Sequence, residues 1–223
     1  MRERPTLFNG AMVRAILAGQ KTQTRRAIKP QPIEASVLDF PGRYQPTFDE
    51  GGQLRVVTSN GLHLLTCPFG QPGDRLWVRE TWMDLTGTGI EHRDLATGKR
   101  TRYAYGAESP KGSASDQARK DYGLRWRPSI HMPREACRLV LEITGVRVAR
   151  LQAISEADAI AEGASAKVLP DIRLPRSHPR AELPMVYAGS REIFADLWDS
   201  TGGDWDSNPW VWVIEFKRVE VQP

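Results

Sequence analysis

The sequence predicts an α+β fold, a small β-barrel with flanking short helices and long loop insertions. Segments rich in β-branched and aromatic residues outnumber helical ones. They do not alternate regularly with helices, which argues against a doubly wound parallel sheet. The 223 residues, 40% hydrophobic and 26% charged, suffice for one buried core and argue against wholesale disorder. Residues 1–223 read as a single domain with insertions at about 30–65, 84–128 and 164–188.

Asn9 is an N-cap for a first helix that carries Met12, Ile16 and Leu17 at helical spacing and stops at Gly19. The polar segment Gln20–Arg26 follows as an extended edge. Leu54–Thr58 and Leu62–Thr66 flank Ser59-Asn60-Gly61, a hairpin pattern. Arg75–Trp82 reads as one strand with Leu76, Val78, Glu80 and Trp82 on one face. The polar stretch 84–124 has weak strand character only at Thr101–Tyr105, and Arg138–Arg150 reads as a long strand or two short ones. Ser155 and Asp158 form a variant capping box for a helix ending at Gly163. Four prolines make 164–188 a linker loop. Ser190 is expected to cap a last helix with Ile193, Phe194 and Leu197 on its apolar side. Trp210–Val219 closes the chain as a strand with Trp210, Trp212, Ile214 and Phe216 on one face.

No uncharged apolar stretch reaches the ~20 residues of a membrane helix. Met1–Pro5 lacks the apolar core of a secretory signal, and two cysteines make no disulfide scaffold. A cytoplasmic protein, expected to be monomeric, fits these features. The net charge of +4 is polarised. Seven basic groups stand against Glu3 alone in residues 1–30, while acidic groups dominate 191–223. Arginine outnumbers lysine 24 to 7. Its planar fork suits phosphate and carboxylate, so an anionic partner near the N-terminal region is one reading and a solvated basic surface the other.

The phosphate-loop, dinucleotide and zinc-protease signatures are absent. His63, Cys67, His131 and Cys137 offer four nitrogen and sulfur atoms, but without a tight Cys-x2-Cys knuckle, and Cys137 borders an apolar strand. No metal and no cofactor are expected. Lys21-Thr22-Gln23-Thr24-Arg25-Arg26 sets an amine, two hydroxyls and two guanidinium groups side by side. It is either a basic surface loop or a hydroxyl nucleophile with an amine beside it. A lysine base at neutral pH needs its pKa lowered by ~3 units, about 4 kcal/mol. A protonated Lys21 stabilising an oxyanion is the less demanding role.

Leu17–Arg26 resembles the signature of the ASCH domain family, a short helix running into G-x-K-T-x-T-x-R. Three further segments agree in order: Pro72–Val78 with its G-D-x-L-x-V pattern, Val146–Gly163, and Trp212–Lys217 preceded by the Ile193–Trp198 helix. With Arg127–Arg134 and Asn208–Trp212, the chain is similar to larger ASCH-type proteins of bacteriophages and prophages. The resemblance implies a PUA-like barrel with a cleft beside the first helix, and a modified nucleoside or RNA as partner. Small bacterial members are N4-acetylcytidine amidohydrolases that use a Lys, a Thr and a Glu. These match Lys21, Thr24 and Glu162, while Arg26 matches the arginine ending the motif. This chain is much longer than those enzymes, and its insertions fall between the matching segments.

The implied activity is hydrolysis of the amide of an N4-acylated cytidine. Lys21, Thr24 and Glu162 are the catalytic candidates, and Arg25, Arg26, Glu80, Trp82 and His131 the substrate-binding ones. Glu162, in the last turn of its helix, meets the negative end of the helix dipole, which suits a general acid. Glu80 and Trp82 either reach the pocket, with Trp82 stacking on a base, or form a core aromatic and a carboxylate paired to an arginine. His131 is held in a proline-bracketed segment. A non-catalytic RNA or modified-base binding module is the alternative, and a ribonuclease using His131 and Lys21 the third reading.

Overall fold

The computed structural model describes residues 1–32, 47–48, 54–58, 61–94, 98–164 and 189–219. The fold is mixed α+β. In chain order come β1 (Glu3–Leu7), α1 (Gly10–Leu17), β2 (Gln23–Ala27), β3 (Thr47–Phe48), β4 (Leu54–Thr58), β5 (Gly61–Leu65) and β6 (Arg75–Arg79). There follow β7 (Trp82–Asp84), β8 (His92–Arg93), β9 (Arg100–Thr101), β10 (Tyr103–Tyr105) and α2 (Ala114–Asp121). The chain continues through β11 (Val140–Arg150), α3 (Glu156–Ala161), α4 (Ser190–Ser200) and β12 (Trp210–Val219). None of the described helices is long and apolar enough to cross a membrane.

The central sheet has the order β1-β6-β11-β12-β2. β1 runs parallel to β6, and every other neighbour is antiparallel. Side-chain alternation gives this sheet two apolar faces. On one face Leu76, Val78, Leu141, Ile143, Trp212, Ile214 and Phe216 pack against Phe8, Ile28 and the Val13–Ile16 stripe of α1. On the other, Val211 and Val213 meet Leu151, Ala159 and Phe194 from α3, α4 and the turn between β11 and α3. Farther along that second face, Trp77, Val140 and Val219 meet Trp82, Tyr103, Tyr105 and Met132.

The sheet is open in its backbone pairing: among the described residues no ladder joins β1 to β2. Its edges nevertheless approach each other. The Arg26 guanidinium donates to the Leu7 carbonyl at 2.8 Å, and Phe8 lies 6.2 Å from Phe216, ring centre to ring centre. A register shift between Ile143 and Gly145 supplies local bending. A side chain at Gly145 would put its Cβ 2.9 Å from Glu215 Oε2, so the Glu215 side chain rests over this glycine.

The local signals explain the helices. Asn9 Oδ1 accepts from the Met12 amide at 2.9 Å, and Ser155 accepts from the Asp158 amide at 3.1 Å. Cutting Ile16, buried in the α1 stripe, to alanine costs roughly 2–5 kcal/mol. The hairpin forms as β4 and β5, with residues 59–60 outside the described residues.

Four expectations need correction. Arg75–Trp82 is not one strand. It breaks after Arg79, and Trp82 starts β7, which pairs with β10 in a separate ribbon. The polar stretch 84–124 contains α2, capped by Ser113, whose side chain accepts from the Asp116 amide at 3.2 Å. Its residues are almost all polar, so no apolar periodicity marked it. Ser190 is the first helical residue of α4, and Gly189 holds the cap position without a side-chain bond. The long strand starts at Val140, because Arg138 turns aside into a buried ion cluster. Most of the linker, residues 165–188, lies outside the described residues.

Candidate functional site

The end of α1 sets the first half of the site. Gly19 adopts a φ of 71°, and the amides of Gln20 and Lys21 both donate to the Ala15 carbonyl, at 2.8 and 3.1 Å. This wrap aims the chain at the end of α3. Thr22 donates to the Ala161 carbonyl at 2.8 Å, and Lys21 and Glu162 form an isolated antiparallel bridge. On its other side Thr22 accepts from the Phe216 amide at 2.8 Å. The second half is the close of α3, where Glu162 is the C-cap and Gly163 takes a φ of 84°. An added Cβ at Gly163 would lie 3.1 Å from Ala15 Cβ and 3.4 Å from Lys21 Cβ.

These contacts bring two distant motifs into one ion cluster. Lys21 Nζ donates to Glu162 Oε2 and to the Glu162 carbonyl, both at 2.7 Å. Arg25 donates to Glu162 Oε1 at 3.0 Å and to Asp158 Oδ2 at 2.8 Å. Arg147, from β11, donates to the same Asp158 oxygen at 2.9 Å. Lys21, Arg25 and Glu162 are each at most 3% exposed. Phe8 and Phe194 line the cations, 5.8 Å from Lys21 Nζ and 5.7 Å from the Arg25 guanidinium.

Burial dominates the protonation chemistry. Desolvation pulls the Lys21 pKa below its ordinary value. Glu162 opposes that shift, and Arg26 and Arg25 add to it. Desolvation pushes Asp158 up, but Arg147 and Arg25 outweigh it and hold its carboxyl below the usual range. Both Glu162 oxygens accept from cations. Oε2 accepts from Lys21 and Oε1 from Arg25.

The other candidates sort by strand face. Thr24 pairs with Ile214 and Arg26 with Trp212, so both lie on the α1 face, opposite Arg25. Thr24 is 2% exposed, and neither hydrogen bond of Lys21 Nζ goes to it. Arg26 stacks over Phe8 at 5.4 Å. Glu80, Trp82 and His131 do not join the Lys21 cluster. Glu80 receives Arg138 at 2.9 and 3.1 Å, and Arg138 also contacts Asp94 at 3.3 Å and Glu108. Glu108 in turn meets His92 at 2.9 Å. Trp82 is enclosed, edge-on to Tyr103 and covered by Arg127. The broken strand explains this: once β6 ends, residues beyond Arg79 leave the central sheet. His131 sits exposed on a 3-10 turn and makes no hydrogen bond to Lys21.

Sequence reasoning missed Asp158 and Arg147 as site residues, whereas the core alternative for Glu80 and Trp82, a carboxylate paired to an arginine beside a core aromatic, is the arrangement found, with Arg138 as the arginine. Asp158 was legible as a helix-start residue, and its side chain has the second task of bridging two arginines. Arg147 could have been found from strand alternation, since it pairs with Val213, the register partner of Arg25. Among the described residues no group of three His, Cys, Asp or Glu is placed to hold a metal. The Cys137 thiol donates to the Leu139 carbonyl. The side chain of His63 lies outside the described residues.

Compared with family models, curated proteins and solved structures, the chain matches none.

Proposed function

We propose that this chain is an ASCH-type, PUA-like barrel that hydrolyses the amide of an N4-acylated cytidine or a related modified nucleoside. The observation that carries the reading is the 2.7 Å contact between Lys21 Nζ and Glu162 Oε2 in a buried cluster. It sets a buried nitrogen donor beside a carboxylate that can accept a proton, the two groups the proposed chemistry needs. The same two residues are those the family resemblance selects.

In the proposed reaction the Lys21 ammonium turns a donor toward the amide oxygen as negative charge builds there. A water, positioned by Thr24, adds to the carbonyl carbon and passes its proton to Glu162. Glu162 then delivers that proton to N4 as the carbon–nitrogen bond breaks, releasing cytidine and the carboxylic acid. Arg25 holds Glu162 in place, and Arg26 orients the nucleoside. No cofactor enters this scheme.

The test is turnover of N4-acetylcytidine followed by chromatography. Wild-type protein should release cytidine, and Lys21→Ala and Glu162→Ala should each lose about 10²–10⁴-fold. Absence of turnover at high enzyme concentration would remove this reading.

A second reading has its own support. The Lys21 side chain is 0% exposed and its donors are engaged by Glu162, so the cluster also serves as a clasp between β2 and α3. A binding module for RNA or a modified base, without turnover, needs only that. Its affinity for RNA would fall steeply with salt, whereas hydrolysis of a neutral nucleoside would not.

A further inference from the structure

A cleft of 620 Å³ lies between the start of β1 and the turn that precedes β6. Lys21, Arg25 and Glu162 take no part in its walls. Its polar lining includes Arg2, Arg4, Thr66, Gln71 and Asp74, with the thiol of Cys67 beside them. The volume falls within the range of small-ligand sites, roughly 300–1,000 Å³.

The charge in this cleft is unbalanced. Arg25, Arg119, Arg134, Arg138 and Arg147 each contact a carboxylate. Arg2 and Arg4 form no such ion pair among the described residues, and Arg4 Nη1 donates only to the Pro68 carbonyl, at 3.2 Å. Arg4 Nε is buried with no hydrogen-bond partner. A buried donor left unmatched is unfavourable, and an acceptor that reaches it removes that cost. Asp74 is the one carboxylate in the lining, and its two oxygens already accept from the amides of Arg2 (2.7 Å) and Gln71 (3.3 Å). Burial pushes the Cys67 thiol up, so it adds no negative charge.

The walls are also preformed. Gly70 has a φ of 121°, and a Cβ there would stand 3.0 Å from Asp74 Cβ and Oδ2, so the turn packs tightly against the acid it positions. A fixed turn, with the Arg4 fork already held in place by the Pro68 carbonyl, lowers the ordering cost of binding.

We infer that this cleft is a phosphate-binding site, in which Arg2 and Arg4 clamp the phosphate oxygens and Arg4 Nε gains its missing acceptor. Two forks match the several oxygens and the negative charge of a phosphate group better than a lone carboxylate. The phosphate belongs either to a free nucleotide or to a nucleic-acid backbone. This site does not depend on amide hydrolysis at Lys21.

The experiment is a titration followed by NMR of the arginine Nε–H groups, at constant ionic strength. The probes are inorganic phosphate, cytidine 5′-monophosphate and a short oligocytidylate, with chloride as the control. The Arg4 Nε–H signal should shift saturably with a phosphate probe and not with chloride. Arg2→Gln and Arg4→Gln should each weaken binding about tenfold or more. Arg100→Gln, which removes an exposed guanidinium paired with Glu91, should not. Arg2 is exposed, so Arg2→Gln carries the test even if Arg4→Gln perturbs folding. Tighter binding of the oligonucleotide than of the monophosphate assigns the site to a strand backbone, and equal binding to a free nucleotide. A missing shift, an equal response to chloride, or equal weakening by Arg100→Gln would overturn the inference.

Discussion

Lys21 Nζ and Glu162 Oε2 are 2.7 Å apart, although 141 residues separate them along the chain. The contact is made at the rim of the sheet, where the end of α1 and the end of α3 meet through the Lys21–Glu162 bridge. It places an amine, a carboxylate and the Arg25 guanidinium in one water-poor cluster. Everything proposed for this centre turns on that geometry.

Removing the shared carboxylate should be the most damaging single change there. Glu162→Gln leaves Lys21 a buried cation without its anion and Arg25 with Asp158 as its carboxylate, an expected loss of about 3–5 kcal/mol. Lys21→Met should cost less, because Arg25 still satisfies Glu162 and the methionine fills the space. Urea unfolding of both variants checks the order, and a reversed order would contradict the cluster as described.

The lowered pKa of Lys21 has a signed consequence for stability. Between that lowered value and the ordinary 10.5, the unfolded chain binds a proton that the folded chain has released. Stability from this group therefore rises with pH across that window, and below it the full cost of burying the charge is felt. Lys21→Met should flatten this rise in a stability-versus-pH curve. An unchanged curve would mean that Lys21 titrates normally.

Glu80 gives a second signed effect. Burial raises its pKa above 4.5, Arg138 opposes the shift, and Glu108 and Asp94 add to it. Between 4.5 and the raised value the folded state holds the extra proton, so stability from this group grows as pH falls through the window. Glu80→Gln should abolish that growth. Arg138→Met should be costly at neutral pH, by about 3–5 kcal/mol, because Glu80, Asp94 and Glu108 lose the cation they share.

Thr24 lies on the opposite face of β2 from Arg25, and in the proposed hydrolysis it positions a water that acts as the nucleophile. Thr24→Val should lower kcat on N4-acetylcytidine by about 10–100-fold, less than Lys21→Ala. Mass spectrometry during turnover should find no acyl adduct on Thr24, and an adduct there would assign the attack to its hydroxyl.

Gly163→Ala tests the backbone that aims Glu162. The new Cβ would crowd Ala15 and Lys21 at a φ of 84°. A loss of about 1–3 kcal/mol is expected, with weaker coupling between Lys21 and Glu162 in a double-mutant cycle.

Glu162 was selected by the family resemblance and not by its surroundings in the sequence. The sequence by itself determined the α+β class, the start of α1 and α3 and the faces of β12, and it singled out the Lys21–Arg26 segment. These rest on caps, glycine stops, strand alternation and short motifs, all of which act within a few residues. Only the tertiary structure decided that β6 ends at Arg79, that Glu80 belongs to Arg138, and that Thr24 and Arg25 part to opposite faces. It alone brought Asp158 and Arg147 to Arg25, and set Arg2 and Arg4 in a cleft where, among the described residues, neither forms an ion pair. The reason is physical. Ion pairing and desolvation act through space over a few ångströms, and which charges come that close is fixed by strand register and the curl of the sheet.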